Sequence, residues 1–260
     1  MVNPDGKFMP GRFDFHGRTV LVTGGGRGIG LEMTRQLAAK GARVVVVGRN
    51  ADALAAVTAE LGDAVATRQA DLGAPGAVPS LAAWMRESHP DCSVLVNNAA
   101  IMHHLDLTTH SLDRLDTIDA EVAINVTAPL QLAVAMLPLL RMHRSAAVVN
   151  VTSGLAIAPK REAAVYCATK AALRSFTRSL RDQCRASGLP IQVSEAVMTL
   201  VDTTLSRPGA VRKYPPARAA ADLIAGVERG QDEIWIEKTK LLRVVHRLSP
   251  GLAYRIMRDR

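Results

Sequence analysis

The chain has 260 residues, 48% of them hydrophobic, which is enough for the core of one large α/β domain. Its formal net charge is +8, but residues 238–260 hold seven Lys or Arg against one acid, so the rest of the chain is nearly neutral. Cys92, Cys167 and Cys184 have neither disulfide nor metal-ligand spacing. The composition therefore argues against a disulfide-rich, metal-binding or generally nucleic-acid-binding protein, and we expect reduced thiols in a cytoplasmic protein.

The N-terminal stretch, residues 1–15, has neither the apolar core nor the small-residue cleavage site of a signal peptide. We expect it to be a loosely ordered arm that precedes a single domain of residues 16–260. No uncharged apolar run reaches the roughly 18 residues that span a membrane, so the sequence predicts a soluble protein.

Short runs rich in β-branched residues alternate with stretches of helical length. The runs are "RTVLVTGG", "ARVVVVGRN", "AVATRQADL", "CSVLVNNAA", "SAAVVNVTS", "IQVSEAV" and, late in the chain, "DEIWIE". Helices are predicted over 29–40, 51–61, 77–87, 111–142 and 163–187. This alternation predicts an α/β fold of the Rossmann type, with a doubly wound, mostly parallel seven-stranded sheet and helices on both faces. In such a sheet, ligands bind at the carboxyl ends of the strands. The polar residues at the ends of the strand runs are therefore candidate site residues.

The first strand runs into a glycine-rich turn and an amphipathic helix. Gly24, Gly28 and Gly30 form a GxxxGxG pattern that would let the backbone approach a pyrophosphate at the helix N-terminus. Glycine-rich turns are common in loops, but the strand–turn–helix setting favours a nucleotide-phosphate site.

The second strand ends in Arg49 and Asn50 rather than in the carboxylate that would hold the ribose 2′-hydroxyl of NAD. Arg49 could bind a 2′-phosphate through its planar guanidinium, and Arg27 could add a second cation, so we predict NADP(H). The alternative is a solvated Arg49 with Asp52 as the ribose ligand. However, if Asn50 is the N-cap, Asp52 is an ordinary first-turn residue.

Tyr166 and Lys170 are four residues apart in "VYCATKAAL" and therefore share one face of a predicted helix. A tyrosine ionised at neutral pH needs a pKa shift of about three units, or roughly 4 kcal/mol, which a nearby ammonium supplies only when the pair is partly buried. The alternative is a tyrosine packed on the core with the lysine extending to water.

Other polar residues occupy the ends of neighbouring strands. Ser153 follows the fifth strand, and Asn97 and Asn98 end the fourth. Asn125 lies within a helix, where asparagine is unfavourable unless its side chain has a partner. Each of these residues alone is commonly structural, but together they could converge on one rim.

The ordered series resembles the short-chain dehydrogenase/reductase family of oxidoreductases from about Phe15 to the end of the chain. The residues that carry the resemblance are Thr23-Gly24-xxx-Gly28-Ile29-Gly30, Asp71, Asn97-Asn98-Ala99, Asn125, Ser153 and Tyr166-xxx-Lys170. The resemblance implies an NADP(H)-dependent enzyme that reversibly reduces a ketone or aldehyde to an alcohol. "SEAVMTLVDTTL" and the C-terminal sequence are similar to the branch named after D-alanine esterification of teichoic acids.

The resemblance also implies a role for each site residue. Tyr166 would be the proton donor or acceptor, Lys170 would lower its pKa and hold the nicotinamide ribose, Ser153 would orient the substrate oxygen, and Asn125 would support a water in the proton relay. The cofactor-binding residues would be Gly24, Arg27, Gly28, Ile29, Gly30, Arg49, Asn50, Asp71, Leu72, Asn98, Ala99, Tyr166, Lys170, Val201 and Thr203.

The chain departs from the family pattern after the sixth strand, where Met198-Thr199 replaces the usual Pro-Gly. Val201 and Thr203 still match the segment that contacts the nicotinamide amide, and Ala100 replaces a usual glycine after the fourth strand. The departure leaves a catalytically impaired NADP(H)-binding sensor or scaffold as an alternative.

Three further regions bear on substrate and partners. Residues 202–216 are expected to cover the substrate, and His103 and His104 either touch it or are solvated loop residues.

The basic tail 238–260 could dock on the domain or a partner subunit, or contact an anionic membrane weakly, as in a reductase of a lipid-linked carbonyl. We expect no nucleic-acid binding, because few aromatic residues accompany the charge. The resemblance implies a homodimer or homotetramer built from helices 111–142 and 163–187.

Overall fold

The computed structural model describes residues 13–108, 112, 114–202 and 213–259. The strands are β1 (Thr19–Thr23), β2 (Arg43–Gly48), β3 (Val65–Gln69), β4 (Cys92–Asn97), β5 (Ala146–Ser153), β6 (Ile191–Met198) and β7 (Glu233–Trp235). The helices are α1 (Gly28–Ala39), α2 (Ala51–Leu61), α3 (Ala77–Ser88), α4 (Arg114–Val122), α5 (Ala128–Leu140), α6 (Ala164–Ala186), α7 (Pro216–Glu228), α8 (Thr239–Leu248) and α9 (Pro250–Met257).

The strands form one sheet in the order β3-β2-β1-β4-β5-β6-β7, and every pairing in it is parallel. The predicted doubly wound fold is confirmed, and the sheet is entirely rather than mostly parallel. Since all the strands point the same way, their carboxyl ends share one edge of the sheet, where a ligand site is expected.

The central strands are short, β-branched runs that are buried on both faces. Val20 and Val94 face a core beneath α1 and α7, whereas their neighbours Leu21 and Leu95 face a second core beneath α3, α5 and α6. The strands therefore lack the polar alternation of a half-exposed sheet, as is typical of parallel sheets covered by helices.

The long helix predicted over 111–142 is interrupted. The structure has α4, a π-helical turn over residues 123–127 and then α5. Asn125 lies within the π-helical turn and is completely buried. A π-helical turn inserts an extra residue into the helical ladder, and such turns are frequent at functional sites.

The N-terminal boundary differs from the predicted arm of residues 1–15. Phe13 and Phe15 are only 4% and 2% exposed, and the Phe13 N–H donates to the Glu228 carbonyl oxygen at 2.8 Å. Burial of two aromatic side chains offsets the entropy lost by ordering this segment, so the packed domain begins by residue 13.

The stretch Arg114–Leu140 has the length and composition of a membrane-crossing helix, with a mean hydropathy of 1.7 over 18 residues. The expectation that no stretch reaches this threshold is therefore wrong. In the structure, Leu132, Met136 and Leu140 of α5 are buried in the core against the sheet. This is the arrangement of a core helix in a globular domain.

The basic tail forms two short helices. α8 ends at Leu248, and α9 begins at Pro250 with the Ser249 side chain accepting from the Leu252 N–H at 3.3 Å. Leu242 and Ala253 pack with Ala158 in a small separate core cluster. One side of the tail therefore docks on the domain, as one of the predicted alternatives required.

Candidate active site

A cleft of about 430 Å³ opens at the edge of the sheet where β1, β2, β3 and β4 end. The structure brings eleven of the predicted cofactor-binding residues together in its walls: Gly24, Arg27, Gly28, Ile29, Gly30, Arg49, Asn50, Asp71, Leu72, Asn98 and Ala99. Residues scattered along a third of the sequence thus line one concave surface, because parallel strands deliver their following loops to the same edge.

The glycine-rich turn disfavours side chains at all three of its motif positions. Gly24 and Gly28 have φ of +67° and +54°, a conformation that favours glycine. A Cβ at Gly30 would lie 2.1 Å from the Gly24 carbonyl oxygen and 2.7 Å from the Asn98 side-chain nitrogen. At the N-terminus of α1, Arg27 makes no side-chain capping bond and the first turn contains no acid. The helix end therefore offers its N–H groups and positive dipole to an anion in the cleft.

Asn98 and Thr23 join the ends of β4 and β1. The Thr23 hydroxyl accepts from the backbone N–H groups of Asn98 and Ala99, each at 3.0 Å. The Asn98 side chain donates to the carbonyl oxygens of Thr23 at 3.0 Å and Gly24 at 3.3 Å. The predicted residue Asn98 thus shapes the glycine turn as well as lining the cleft.

At the other end of the cleft, Arg49 is only loosely held. Its guanidinium is 4.0 Å from the Asp71 carboxylate, and its side chain is 56% exposed. Asn50 caps α2 by accepting from the Ala53 N–H at 2.7 Å. Asp52 lies in the first turn of that helix and is absent from the cleft walls. Of these two residues, therefore, only Arg49 lines the cleft.

Asn125 ties the loop after β4 to α6. Its side-chain oxygen accepts from the Ile101 N–H at 2.9 Å, and its nitrogen donates to the Ile101 carbonyl oxygen at 2.8 Å and to the Thr169 hydroxyl at 3.2 Å. These bonds satisfy the buried amide and explain an asparagine within a helix.

Ser153 and Tyr166 meet beside the end of β5. The Ser153 hydroxyl accepts from the Leu155 N–H at 3.1 Å and lies near enough to the Tyr166 phenol to act on its pKa. Burial raises the pKa of Tyr166 above its usual value, the neighbouring Cys167 adds to this rise, and the Ser153 side chain opposes it. The phenol is therefore protonated at neutral pH.

Lys170 is buried rather than extended to water, being 2% exposed. Its ammonium donates to the Val151 carbonyl oxygen at 3.0 Å and lies 5.6 Å from the centroid of the Tyr166 ring. Burial lowers the pKa of Lys170 to about 8. The predicted lowering of the pKa of Tyr166 is not found in this geometry, because the ammonium faces the ring and Val151 while burial disfavours the phenolate.

One acid beside the site was missed from the sequence. Glu121 of α4 is fully buried and accepts from the backbone N–H of His103, whose ring nitrogen lies 2.9 Å from the same carboxylate oxygen. Its negative charge is among the causes that raise the pKa of Tyr166. In the sequence, Glu121 is one of several acids in a predicted helix, and acids on helices are usually solvated.

The two histidines differ from the expected solvated pair. His103 lines the cleft and is paired with Glu121. The side chain of His104 is only 16% exposed and lies 3.5 Å from the Glu162 carboxylate. Both side chains are thus attached to neighbouring elements, which fixes the loop between β4 and α4.

Of the other predicted cofactor-binding residues that the structure describes, Tyr166, Lys170 and Val201 do not line this cleft. Val201 is 5% exposed and forms an isolated bridge with Tyr214, and Thr203 lies outside the described residues. Of the expected substrate-covering segment, only residues 202 and 213–216 are described, and there Lys213 pairs with Asp202 at 3.1 Å. Met198 ends β6 opposite Ser153 in the sheet register.

Comparison with known proteins shows that the chain is similar to oxidoreductases. The family model described as short chain dehydrogenase matches residues 18–210. The uncharacterized oxidoreductase DltE of Bacillus subtilis is 35% identical over 231 residues, which cover 86% of this chain and 90% of that protein. The ketoacyl reductase HetN of Nostoc is 30% identical over 262 residues, covering 93% and 88% respectively.

Solved structures share the fold. A metagenomic short-chain oxidoreductase in complex with NADP superposes with a TM-score of 0.71 at 29% identity, covering 84% of this chain and 96% of that one. A short-chain dehydrogenase/reductase of Burkholderia phymatum in complex with NAD gives a TM-score of 0.82 at 20% identity, covering 95% and 97%. The structural neighbours thus include complexes with either nicotinamide cofactor.

Proposed function

Since the chain belongs to the short-chain dehydrogenase family, we propose that it is an NADP(H)-dependent reductase that converts a ketone or aldehyde reversibly to an alcohol. The observation that carries the proposal is the placement of Ser153 beside the Tyr166 phenol at the end of β5, with the buried Lys170 one turn further along α6. The proposal is supported by the protonated state of the Tyr166 phenol, because reduction of a carbonyl requires a proton donor.

The cleft fits a dinucleotide on structural grounds. Gly30 packs directly against the Gly24 main chain, and the N-terminus of α1 beside the cleft carries neither a capping side chain nor an acid. The main-chain N–H groups of this turn would hold the pyrophosphate, and Asp71 and Leu72 would lie along the adenine end. When bound, the reduced nicotinamide supplies a hydride.

The protein groups then hold the substrate oxygen and move one proton. The Ser153 hydroxyl can donate a hydrogen bond to the carbonyl oxygen and so orient it toward Tyr166. Tyr166 gives its phenolic proton to the oxygen as negative charge develops there. Lys170, with a pKa of about 8, remains mostly protonated at pH 7, and its positive charge would partly offset the burial that disfavours the phenolate formed.

The catalytic proposal is tested with purified protein, NADPH and a panel of ketones and aldehydes graded by size and polarity. We expect NADPH oxidation by the wild type and a loss of at least about a thousandfold in kcat for Tyr166→Phe. Tyr254→Phe is a matched control, because Tyr254 is 44% exposed on α9 and makes no contact with the cleft walls. Activity that survives in Tyr166→Phe would overturn the mechanism.

The preference for NADP(H) rests on Arg49 and Arg27 in the cleft walls. Only a 4.0 Å ion pair restrains Arg49, so its guanidinium can turn toward a 2′-phosphate. We expect Arg49→Glu to weaken NADPH binding at least tenfold relative to NADH, and Arg86→Glu on the exposed side of α3 to leave the ratio unchanged. Equal affinities of the wild type for NADPH and NADH would contradict the assigned preference.

A second candidate function is a cofactor-binding sensor or scaffold without turnover. Met198 and Thr199 occupy the position where the family usually has Pro-Gly. The Thr199 hydroxyl donates to the Glu237 carboxylate at 3.0 Å, so this turn is tied to a side chain. This candidate predicts tight NADPH binding with no oxidation by any carbonyl of the panel, and measurable turnover excludes it.

We also infer a cytoplasmic homodimer or homotetramer that forms through α4, α5 and α6. Leu115, Val122 and Val134 support this assembly, since these apolar side chains are 55%, 41% and 58% exposed on α4 and α5. Light scattering after size-exclusion chromatography tests it, and a monomer at micromolar concentration would contradict it.

A further inference from the structure

Helix α8 has an inner face that is fixed against the domain. Leu242 is 9% exposed, and a Cβ at Gly154 would lie 3.0 Å from its side chain. The Thr239 hydroxyl donates to the Val197 carbonyl oxygen at 3.2 Å. α8 is thereby held next to the turn that follows Ser153, and its outer face cannot rotate inward without breaking these contacts.

The outer face of α8 carries an apolar stripe. Leu241, Val244 and Leu248 are 66%, 53% and 80% exposed and follow one another at helical spacing. On α9, which packs against α8, Leu252 and Ile256 are also exposed, at 42% and 37%. Within the described part of the chain, no other pair of consecutive helices exposes as many large aliphatic side chains, and such surfaces mark interaction sites.

A basic stripe runs beside the apolar one. Lys240, Arg243 and Arg247 each precede an apolar residue of the stripe by one position, so the two rows are about 100° apart around the helix. Lys240, Arg247 and Arg255 of α9 make no ion pair with the residues that the structure describes, whereas the Arg243 guanidinium lies 5.2 Å from the centroid of the Trp235 ring. The surface therefore carries positive charge that nothing in the described chain neutralises.

We propose that α8 and α9 attach the protein to the surface of an anionic lipid bilayer. The surface involved, called here the tail face, consists of Lys240, Leu241, Arg243, Val244, Arg247, Leu248, Leu252, Arg255 and Ile256. Its aliphatic side chains enter the boundary between head groups and acyl chains, while its cations contact anionic head groups. Since the helices lie along the surface and do not cross it, attachment is reversible and weakens as salt screens the charges.

Charge and composition distinguish this occupant from two others. A second copy docked through the same face would bring two uncompensated basic stripes together, which is unfavourable. A nucleic acid would leave Leu241, Val244 and Leu248 without partners, since aliphatic side chains do not stack on bases. The surface of an anionic bilayer offers acyl chains to the apolar stripe and anionic head groups to the basic stripe.

The test is sedimentation of the full-length protein with vesicles of phosphatidylcholine alone or mixed in equal parts with phosphatidylglycerol. We expect binding to the mixed vesicles at low salt, release at about 0.5 M salt and no binding to phosphatidylcholine alone. The variants Leu241→Ser/Val244→Ser/Leu248→Ser and Lys240→Glu/Arg247→Glu should each bind at least tenfold more weakly.

The matched control is Arg86→Glu/Arg144→Glu, which changes the net charge by the same amount at exposed positions outside the tail face. It should bind within twofold of the wild type, and thermal unfolding verifies that every variant is folded. The proposal is overturned if the wild type ignores phosphatidylglycerol vesicles at low salt, or if both tail variants bind as the wild type does. A tail variant that changes the oligomeric state but not vesicle binding would instead assign the tail face to contact between copies. Neither readout depends on catalytic activity.

Discussion

A Cβ added at Gly30 would lie 2.1 Å from the carbonyl oxygen of Gly24, on the opposite side of the glycine-rich turn. The obstacle is main chain and cannot rotate away like a flexible side chain. The first turn of α1 is therefore in contact with the backbone that leaves β1, and this contact shapes the phosphate end of the cleft.

Gly30→Ala should accordingly destabilise the fold by about 3 kcal/mol and abolish NADPH binding, because the turn must open to admit the methyl group. The control is Gly26→Ala in the same turn, where the added Cβ would meet only the Ala53 methyl group at 3.5 Å. That variant should stay within about 0.5 kcal/mol of the wild type in urea unfolding. Equal stabilities of the two variants would refute the packing argument.

Asn125→Ala should free the loop after β4, since it leaves the N–H and carbonyl of Ile101 without their side-chain partner. Loss of these buried hydrogen bonds is expected to cost about 3 kcal/mol. Thr169→Val removes only the 3.2 Å bond to Asn125 and the bond to the Tyr166 carbonyl, and should cost about 1 kcal/mol. Amide hydrogen exchange at Ile101 should accelerate strongly in the first variant and little in the second. Unchanged protection of Ile101 in Asn125→Ala would contradict this role.

Lys170→Met should make the protein more stable at pH 7 while impairing reduction. Burial lowers the pKa of Lys170 from 10.5 to about 8, so below pH 8 the folded state carries a charge it disfavours, at a cost of about 3 kcal/mol. Between pH 8 and 10.5 the unfolded chain binds more protons at this residue, and wild-type stability therefore rises with pH.

After loss of the bond to Val151, the variant should gain about 2 kcal/mol at pH 7, and this advantage should vanish above pH 10.5. Urea unfolding of both proteins across this pH range measures the difference. A stability difference that does not change with pH would show that the lysine is not held as a buried cation.

Arg174→Met should be among the most destabilising surface-accessible substitutions of α6. Two contacts of 2.7 Å join the Arg174 guanidinium to Glu195, which is completely buried. Its removal leaves that carboxylate with the Thr152 hydroxyl at 2.6 Å and should cost about 3–5 kcal/mol.

Arg178→Met is the matched control one turn along the same helix. Its side chain is 51% exposed and pairs with Glu233 at 2.7 Å, so its loss should cost less than about 1 kcal/mol. Thermal unfolding of the two variants compares a buried with an exposed ion pair. Equal effects would mean that Glu195 is neutral or solvated in the folded protein.

The order of strands and helices, the glycine-rich turn and the helical face shared by Tyr166 and Lys170 were all predictable from local pattern. Each depends on a short-range rule, since β-branched runs form buried strands and residues four apart lie on one side of a helix. The family could be inferred for the same reason: its motifs are short, and their order along the chain follows from the topology.

Long-range contacts decided the rest. The partners of Asn125 come from a loop 24 residues away and from α6, so the sequence could show that the amide needs partners but not which ones. Glu121 was missed because an acid in a helix is ordinarily solvated, and only the packing of α4 buries it against His103.

The pKa of Tyr166 illustrates the division between sequence and structure. The four-residue spacing placed Lys170 on the same helix face as Tyr166, which suggested a lowered pKa for the phenol. The direction of a pKa shift depends on the balance of burial, charge and hydrogen bonds, and each of these is set by atoms from several elements. In the folded protein burial prevails and the pKa of the phenol is raised. Likewise, periodicity predicted an amphipathic tail, but only its packing against Gly154 established which face remains outside.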